Sequence, residues 1–150
     1  MNPLVPPPLV VATVGALMWA VERKLEFGKF EFALQAAVAG VLLIVGLLLM
    51  FVAVASFVAV KTTINPLRPA RASSLVTTGI FGLSRNPIYL GDLLVLAAFG
   101  VWLGNITNIA LLGAFVGYMN RFQVIPEERA LTQVFGERYI AYCSRVRRWL

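Results

Sequence analysis

The sequence contains no histidine. That removes the one side chain whose unperturbed pKa lies near neutrality. It also removes the usual nitrogen ligand for zinc or haem iron. Cysteine is almost missing too. Cys143 stands alone, so no internal disulfide can form. Charge is scarce: Asp, Glu, Lys and Arg make up 13% of the chain, against roughly 25% in a soluble domain. No Gly-rich phosphate loop, no Ser/His/Asp set and no metal ligands at usable spacing occur, so no metal site is expected. The opening stretch MNPLVPPPLVV carries no Lys or Arg, whereas a secretory signal wants a positive first region. The segment is therefore expected to be retained.

What is present is apolar. Hydrophobic residues make up 59% of 150 residues, and the mean hydropathy is +0.82. A soluble core of this size cannot use so much apolar surface, so the expected class is an all-α integral membrane protein of one domain. The net charge of +6 resides at the ends of apolar runs, where Lys and Arg anchor and orient a membrane protein. No basic stripe with interleaved aromatics appears, so nucleic acid is not an expected partner.

Four apolar runs predict about four transmembrane helices. They are Leu4 to Val21, Phe32 to Val60, Ile88 to Leu103 and Ile106 to about Phe122. The second reaches roughly 43 Å at 1.5 Å per residue, more than the ~30 Å hydrocarbon core. Gly104 and Asn105 alone separate the last two, which predicts a tight antiparallel hairpin. Gly100-x-x-x-Gly104 and Gly113-x-x-x-Gly117 place small residues one turn apart, a spacing that lets helix backbones approach. Residues 1–62 form an N-terminal helix pair and 63–150 the half that carries chemistry. Lys and Arg number ten over the N-terminus, second loop and tail, against three in the first loop. The positive-inside rule then puts both termini and the second loop in the cytoplasm. The tail has Leu131, Val134, Phe135, Tyr139 and Tyr142 mostly three to four apart, an amphipathic helical pattern interrupted near Gly136.

The stretch SRNPIYLG at 84–91 opens the third run. Proline in a first helical turn is ordinary helix-start chemistry, with Ser84 or Asn86 as a cap. Arg85, Tyr89 and Asp92 fall at i, i+4 and i+7 along one face. A carboxylate one turn inside an apolar segment costs a few kcal/mol unless paired or hydrated. Asp92 thus indicates a polar cavity entering from the cytoplasmic side, with an Arg85–Asp92 bridge as the structural alternative. A second group, Asn120, Arg121, Glu127 and Glu128, leaves the fourth run on the same side. Adjacent carboxylates on a helix point about 100° apart, so one can face a pocket while the other faces solvent. A first-turn Glu pair complementing a helix dipole after Pro126 is the plainer account. Together these residues suit a zwitterionic ligand with an aromatic part.

Gly79 to Leu150 resembles the catalytic half of the isoprenylcysteine carboxyl methyltransferase family, which is related in pattern to the phospholipid N-methyltransferases. The resemblance rests on R-N-P-I-Y-L-G at 85–91, Arg121, E-E-R-A-L at 127–131, F-G-E-R-Y-I-A-Y at 135–142 and R-V at 145–146. N-P-L-R-P at 65–69 and L-V-T-T-G-I-F at 75–81 also resemble its bacterial members. Asn86 stands where many members have histidine, and asparagine cannot take a proton near neutral pH.

The resemblance implies S-adenosylmethionine as cofactor, bound at the cytoplasmic face of a bacterial inner membrane. Glu127 or Glu128 would take its amino group, and Arg85 or Arg121 would read a carboxylate. Tyr89, Tyr139 or Tyr142 would pack near adenine. Arg85, Asn86, Arg121 and Glu127 are the expected catalytic residues; Tyr89, Gly91, Asp92, Asn120, Glu128, Tyr139 and Tyr142 are the expected cofactor contacts. The acceptor would be a lipophilic or lipid-modified molecule reached through the membrane lipids, and no particular oligomer is implied. Without histidine, an acceptor already anionic, such as a carboxylate or acidic thiol, is the easier substrate. A phospholipid amine is the alternative, and a non-catalytic lipid-binding or scaffold protein is the alternative of another class.

Overall fold

A computed structural model describes residues 5–60 and 74–150. The N-P-L-R-P stretch at 65–69 and the cations Lys61, Arg68 and Arg71 lie outside the described residues. Within them the chain is all helical, without a strand; one isolated antiparallel bridge joins Lys29 to Asn105.

Helix α1 runs Pro7–Lys24 and α2 Gln35–Ala59. A short 3₁₀ turn, Gly79–Gly82, leads to α3, Pro87–Leu103. Then come α4 (Asn108–Met119), α5 (Ile125–Phe135) and α6 (Glu137–Cys143). Of these, α2 is the one helix long and apolar enough to cross a membrane. It exposes Val41, Ile44, Leu48, Phe51 and Val58, a face suited to hydrocarbon.

Local chemistry sets the ends. α3 begins with Pro87 at its first position, where a missing N–H costs nothing. It ends at Gly104, whose φ of 67° is the left-handed conformation that glycine adopts freely. Neither Ser84 nor Asn86 caps α3 by its side chain. The Ser84 hydroxyl instead accepts from the Asn86 N–H at 3.1 Å. α2 starts three residues later than its apolar run because Gln35 is used elsewhere. Its Nε2 donates to the Val101 carbonyl at 2.8 Å, pinning the start of α2 to the end of α3.

The link from α3 to α4 is longer than two residues. Asn105 Oδ1 accepts from the Thr107 N–H at 3.0 Å and from its hydroxyl at 2.6 Å, shaping a turn that holds Gly104 to Thr107 out of both helices.

α3 is the central helix and packs on α1, α2 and α4. Lipid offers no hydrophobic drive between helices, so close backbone approach must supply contact. α2 and α3 do this at Gly46 and Gly91. A Cβ on Gly91 would lie 2.7 Å from the Gly46 carbonyl oxygen, and one on Gly46 would lie 2.9 Å from that of Gly91. Gly100 also packs tightly, against Met18. Gly113 and Gly117 do not: among the described residues nothing lies within 4 Å of a Cβ at either. The buried core joins Val10 and Met18 of α1, Tyr89 and Leu96 of α3, and Phe115 and Met119 of α4. Between α1 and α2 an apolar cleft of about 780 Å³ remains, with Val95, Leu96 and Phe99 of α3 on its floor.

The fourth run departs most from expectation. It does not stop near Phe122. Asn120–Val124 form a π-helical turn, closed by the Ile125 N–H on the Asn120 carbonyl, and the helix continues into α5. Pro126 gives a reason. It lacks an N–H, and its ring crowds the carbonyl four residues back, so the preceding turn widens. The helix therefore has no free N-terminus beside Glu127 and Glu128, and a dipole there does not explain them.

Candidate functional site at the Pro87 end of α3

Three pieces of chain meet here: residues 84–92, the π turn with the start of α5, and residues 143–149. The first is anchored from below. Tyr142 donates its hydroxyl to the Phe81 carbonyl at 2.6 Å, and Tyr139, Tyr142 and Val146 form a small core of their own. Burial pushes the Tyr142 hydroxyl up to about 12 and Tyr139 further in the same direction. Together they hold α6 against the 3₁₀ turn.

The return of residues 144–150 is fixed by backbone groups. The Arg85 N–H donates to the Arg147 carbonyl at 3.1 Å, and Asn86 Nδ2 donates to the Arg148 carbonyl at 2.9 Å. The Trp149 indole N–H donates to Asn120 Oδ1 at 3.1 Å. Asn86 and Asn120 therefore hold this segment.

The charged groups divide in two. Glu128 is gripped by both arginines. Arg148 forks it, Nε to Oε1 at 3.0 Å and Nη2 to Oε2 at 2.7 Å. Arg85 reaches the same carboxylate, Nη1 to Oε1 at 3.2 Å, and also donates to Cys143 Sγ. The Glu128 bond holds the Arg148 guanidinium above its usual value. The second group has no cation. Glu127 accepts from the Tyr89 hydroxyl at 2.5 Å. Asp92 is 9% exposed and has no hydrogen bond or ion pair among the described residues. Arg85 thus bridges to Glu128, not to Asp92. Burial pushes Glu127 up to about 8; the Tyr89 hydroxyl pulls it down and Glu128 pushes it up, each by less.

The sequence-derived set is only partly assembled. Arg85, Asn86, Tyr89, Asp92, Asn120, Glu127 and Glu128 come together. Gly91 faces α2 at the helix crossing. Arg121 stays at the surface with its guanidinium 5.8 Å from the Phe122 ring centre, and no ion pair ties it to the cluster among the described residues. Two functional candidates are new. Arg148 was hidden in a run with Arg145 and Arg147, which spacing does not separate. Gln123 is fully buried on the π turn, its Nε2 on the Val5 carbonyl at 2.6 Å and its Oε1 unpartnered. Lone π turns within α-helices occur often at functional sites.

An arginine–carboxylate cluster, a cation-free pair of acids and a π turn thus gather at the Pro87 end of α3. Residues 34–138 match the phospholipid methyltransferase family profile, and the chain belongs to that family. This agrees with the family resemblance drawn from the motifs. An uncharacterized protein of Haemophilus influenzae is 45% identical over 65 residues, which are all of that protein and 42% of this chain. No solved structure matches.

Proposed function

We propose that the chain is an S-adenosylmethionine-dependent methyltransferase embedded in a bacterial inner membrane and acting on a lipophilic acceptor. α1 to α4 would be its four spans, with α3 and α4 as a hairpin. Ten cations against three support a cytoplasmic face for the termini and the site. The observation that carries the reading is the division of charge: Asp92 and Glu127 without a cation, beside Glu128 with two.

That donor set fits S-adenosylmethionine, which is cationic at sulfur and zwitterionic at its amino-acid end. When bound, the cofactor supplies a methyl group on a sulfonium, open to in-line displacement. Asp92 and Glu127 are the acids without a cation, and a bound cation would favour their ionised forms. Tyr89 fixes Glu127 Oε1 and leaves Oε2 without a partner among the described residues. The floor of the apolar cleft begins at Val95, one turn along α3 from Asp92, so a lipid tail can lie there while its head reaches the acids.

Glu127 also bears on the acceptor. A phospholipid ammonium must lose a proton before it attacks, and there is no histidine to take it. Burial keeps Glu127 protonated up to about 8, and a cation bound beside it would favour the ionised form, which can accept that proton. An amine acceptor therefore fits the cluster better than the anionic acceptor that the missing histidine favours. An isoprenylcysteine-like carboxylate or thiol remains the second reading, on the strength of the motifs. Transfer of labelled methyl from S-adenosylmethionine to phosphatidylethanolamine and to a prenylcysteine analogue, in reconstituted protein, tests this. The amine should be methylated faster, and Glu127→Gln should abolish it. Faster methylation of the prenylcysteine would reverse the order, and no cofactor binding by folded protein would return the chain to the scaffold class.

A further inference from the structure

Arg148 is the cation that the reading above leaves without a task. Glu128 carries one negative charge and is held by two guanidiniums, so this end of the site is positive by one. Arg148 spends Nε and Nη2 on the carboxylate. Its Nη1 has no hydrogen-bond partner among the described residues, and the side chain is 35% exposed, so a ligand can reach it. Arg85 adds a buried Nε without a partner. Arg145 and Arg147 are exposed neighbours, and Arg145 Nε is already on the Ala141 carbonyl.

None of this positive charge reaches Glu127 or Asp92. One step along α5, from Glu128 to Glu127, takes the site from cationic to acidic. An α-amino acid carries the matching pair, a carboxylate and an ammonium on one carbon.

We infer that Arg148 reads the carboxylate at the amino-acid end of the methyl donor, with Glu128 as the positioning residue that holds its guanidinium flat. The inference rests on the S-adenosylmethionine reading. It makes Glu127 and Asp92 the better candidates for the donor's ammonium, because two guanidiniums already outweigh the charge of Glu128. A guanidinium suits the task, since its planar fork bonds one carboxylate while other N–H groups face a second.

Calorimetry on the full chain in detergent tests it with two ligands, S-adenosylmethionine and its decarboxylated analogue, which keeps the sulfonium and the ammonium. Wild type should prefer the intact ligand by about 10- to 100-fold, the usual worth of a charge-assisted bond. Arg148→Ala should weaken binding of the intact ligand by that factor, leave the analogue unchanged, and so erase the preference. Arg148→Gln, which keeps a donor but not the charge, should do the same if the alanine variant fails to fold. Full preference retained in a folded variant overturns the inference and leaves Arg148 a structural clasp, as does a wild type without preference. A folded wild type that binds neither ligand overturns the cofactor reading itself.

Discussion

At the scale of single residues, Glu127 is the group with the clearest consequence. Its carboxyl is pushed from 4.5 up to about 8 in the folded chain. Below pH 4.5 it is protonated in folded and unfolded chains alike, and costs nothing. From there to about 8 the unfolded chain ionises and the folded one resists, so stability falls as pH rises through that window. The unfolding temperature of the wild type should decline across it, and that of Glu127→Gln should stay flatter. Equal declines would place the titrating group elsewhere. Asp92, Tyr89 and Arg85 were legible before any fold was known, because a helix repeats its face every 3.6 residues and polar side chains stand out in an apolar run. Arg148 was not. Its place depends on chain 62 residues away, at the Asn86 side chain that holds its carbonyl, and no local pattern encodes that.

At the scale of helices, proline and glycine marked the ends of α3 correctly because both act through their own backbone. The glycine pairs were legible as motifs but not as roles. Gly91, an expected ligand contact, lies where α3 crosses α2; Gly113 and Gly117, an expected close-approach pair, meet nothing within 4 Å among the described residues. Only the neighbour across the gap tells these cases apart. Gly91→Val should therefore cost about 1–3 kcal/mol or more through overpacking. Gly113→Val should stay within about 0.5 kcal/mol, as surface changes do. Thermal unfolding in one detergent compares them, and equal losses would remove Gly91 from the crossing.

At the scale of the molecule, the charge count predicts that the loop after α1 faces outward and α6 inward. Phe27 in that loop is 80% exposed and Arg138 of α6 is exposed too. In a Cys143→Ser background, Phe27→Cys should react with an impermeant thiol reagent on intact bacterial cells. Arg138→Cys should react only after the cells are opened. The opposite pattern inverts the protein and moves the site to the outer face.

The π turn sets more than the length of the helix it interrupts. An α-helix advances 100° per residue, so each side chain has a phase fixed by counting along the chain. A turn closed five residues back, from Ile125 to Asn120, takes in one residue that the count does not expect. Everything after it is shifted by about one step, roughly 100° around the axis. Glu127 and Glu128 lie just beyond the shift, and the core residues Phe115 and Met119 lie just before it. The same helix thus keeps one phase for its packing and another for its carboxylates. A single residue of slack aims the acids at α3 without disturbing the helix that carries them.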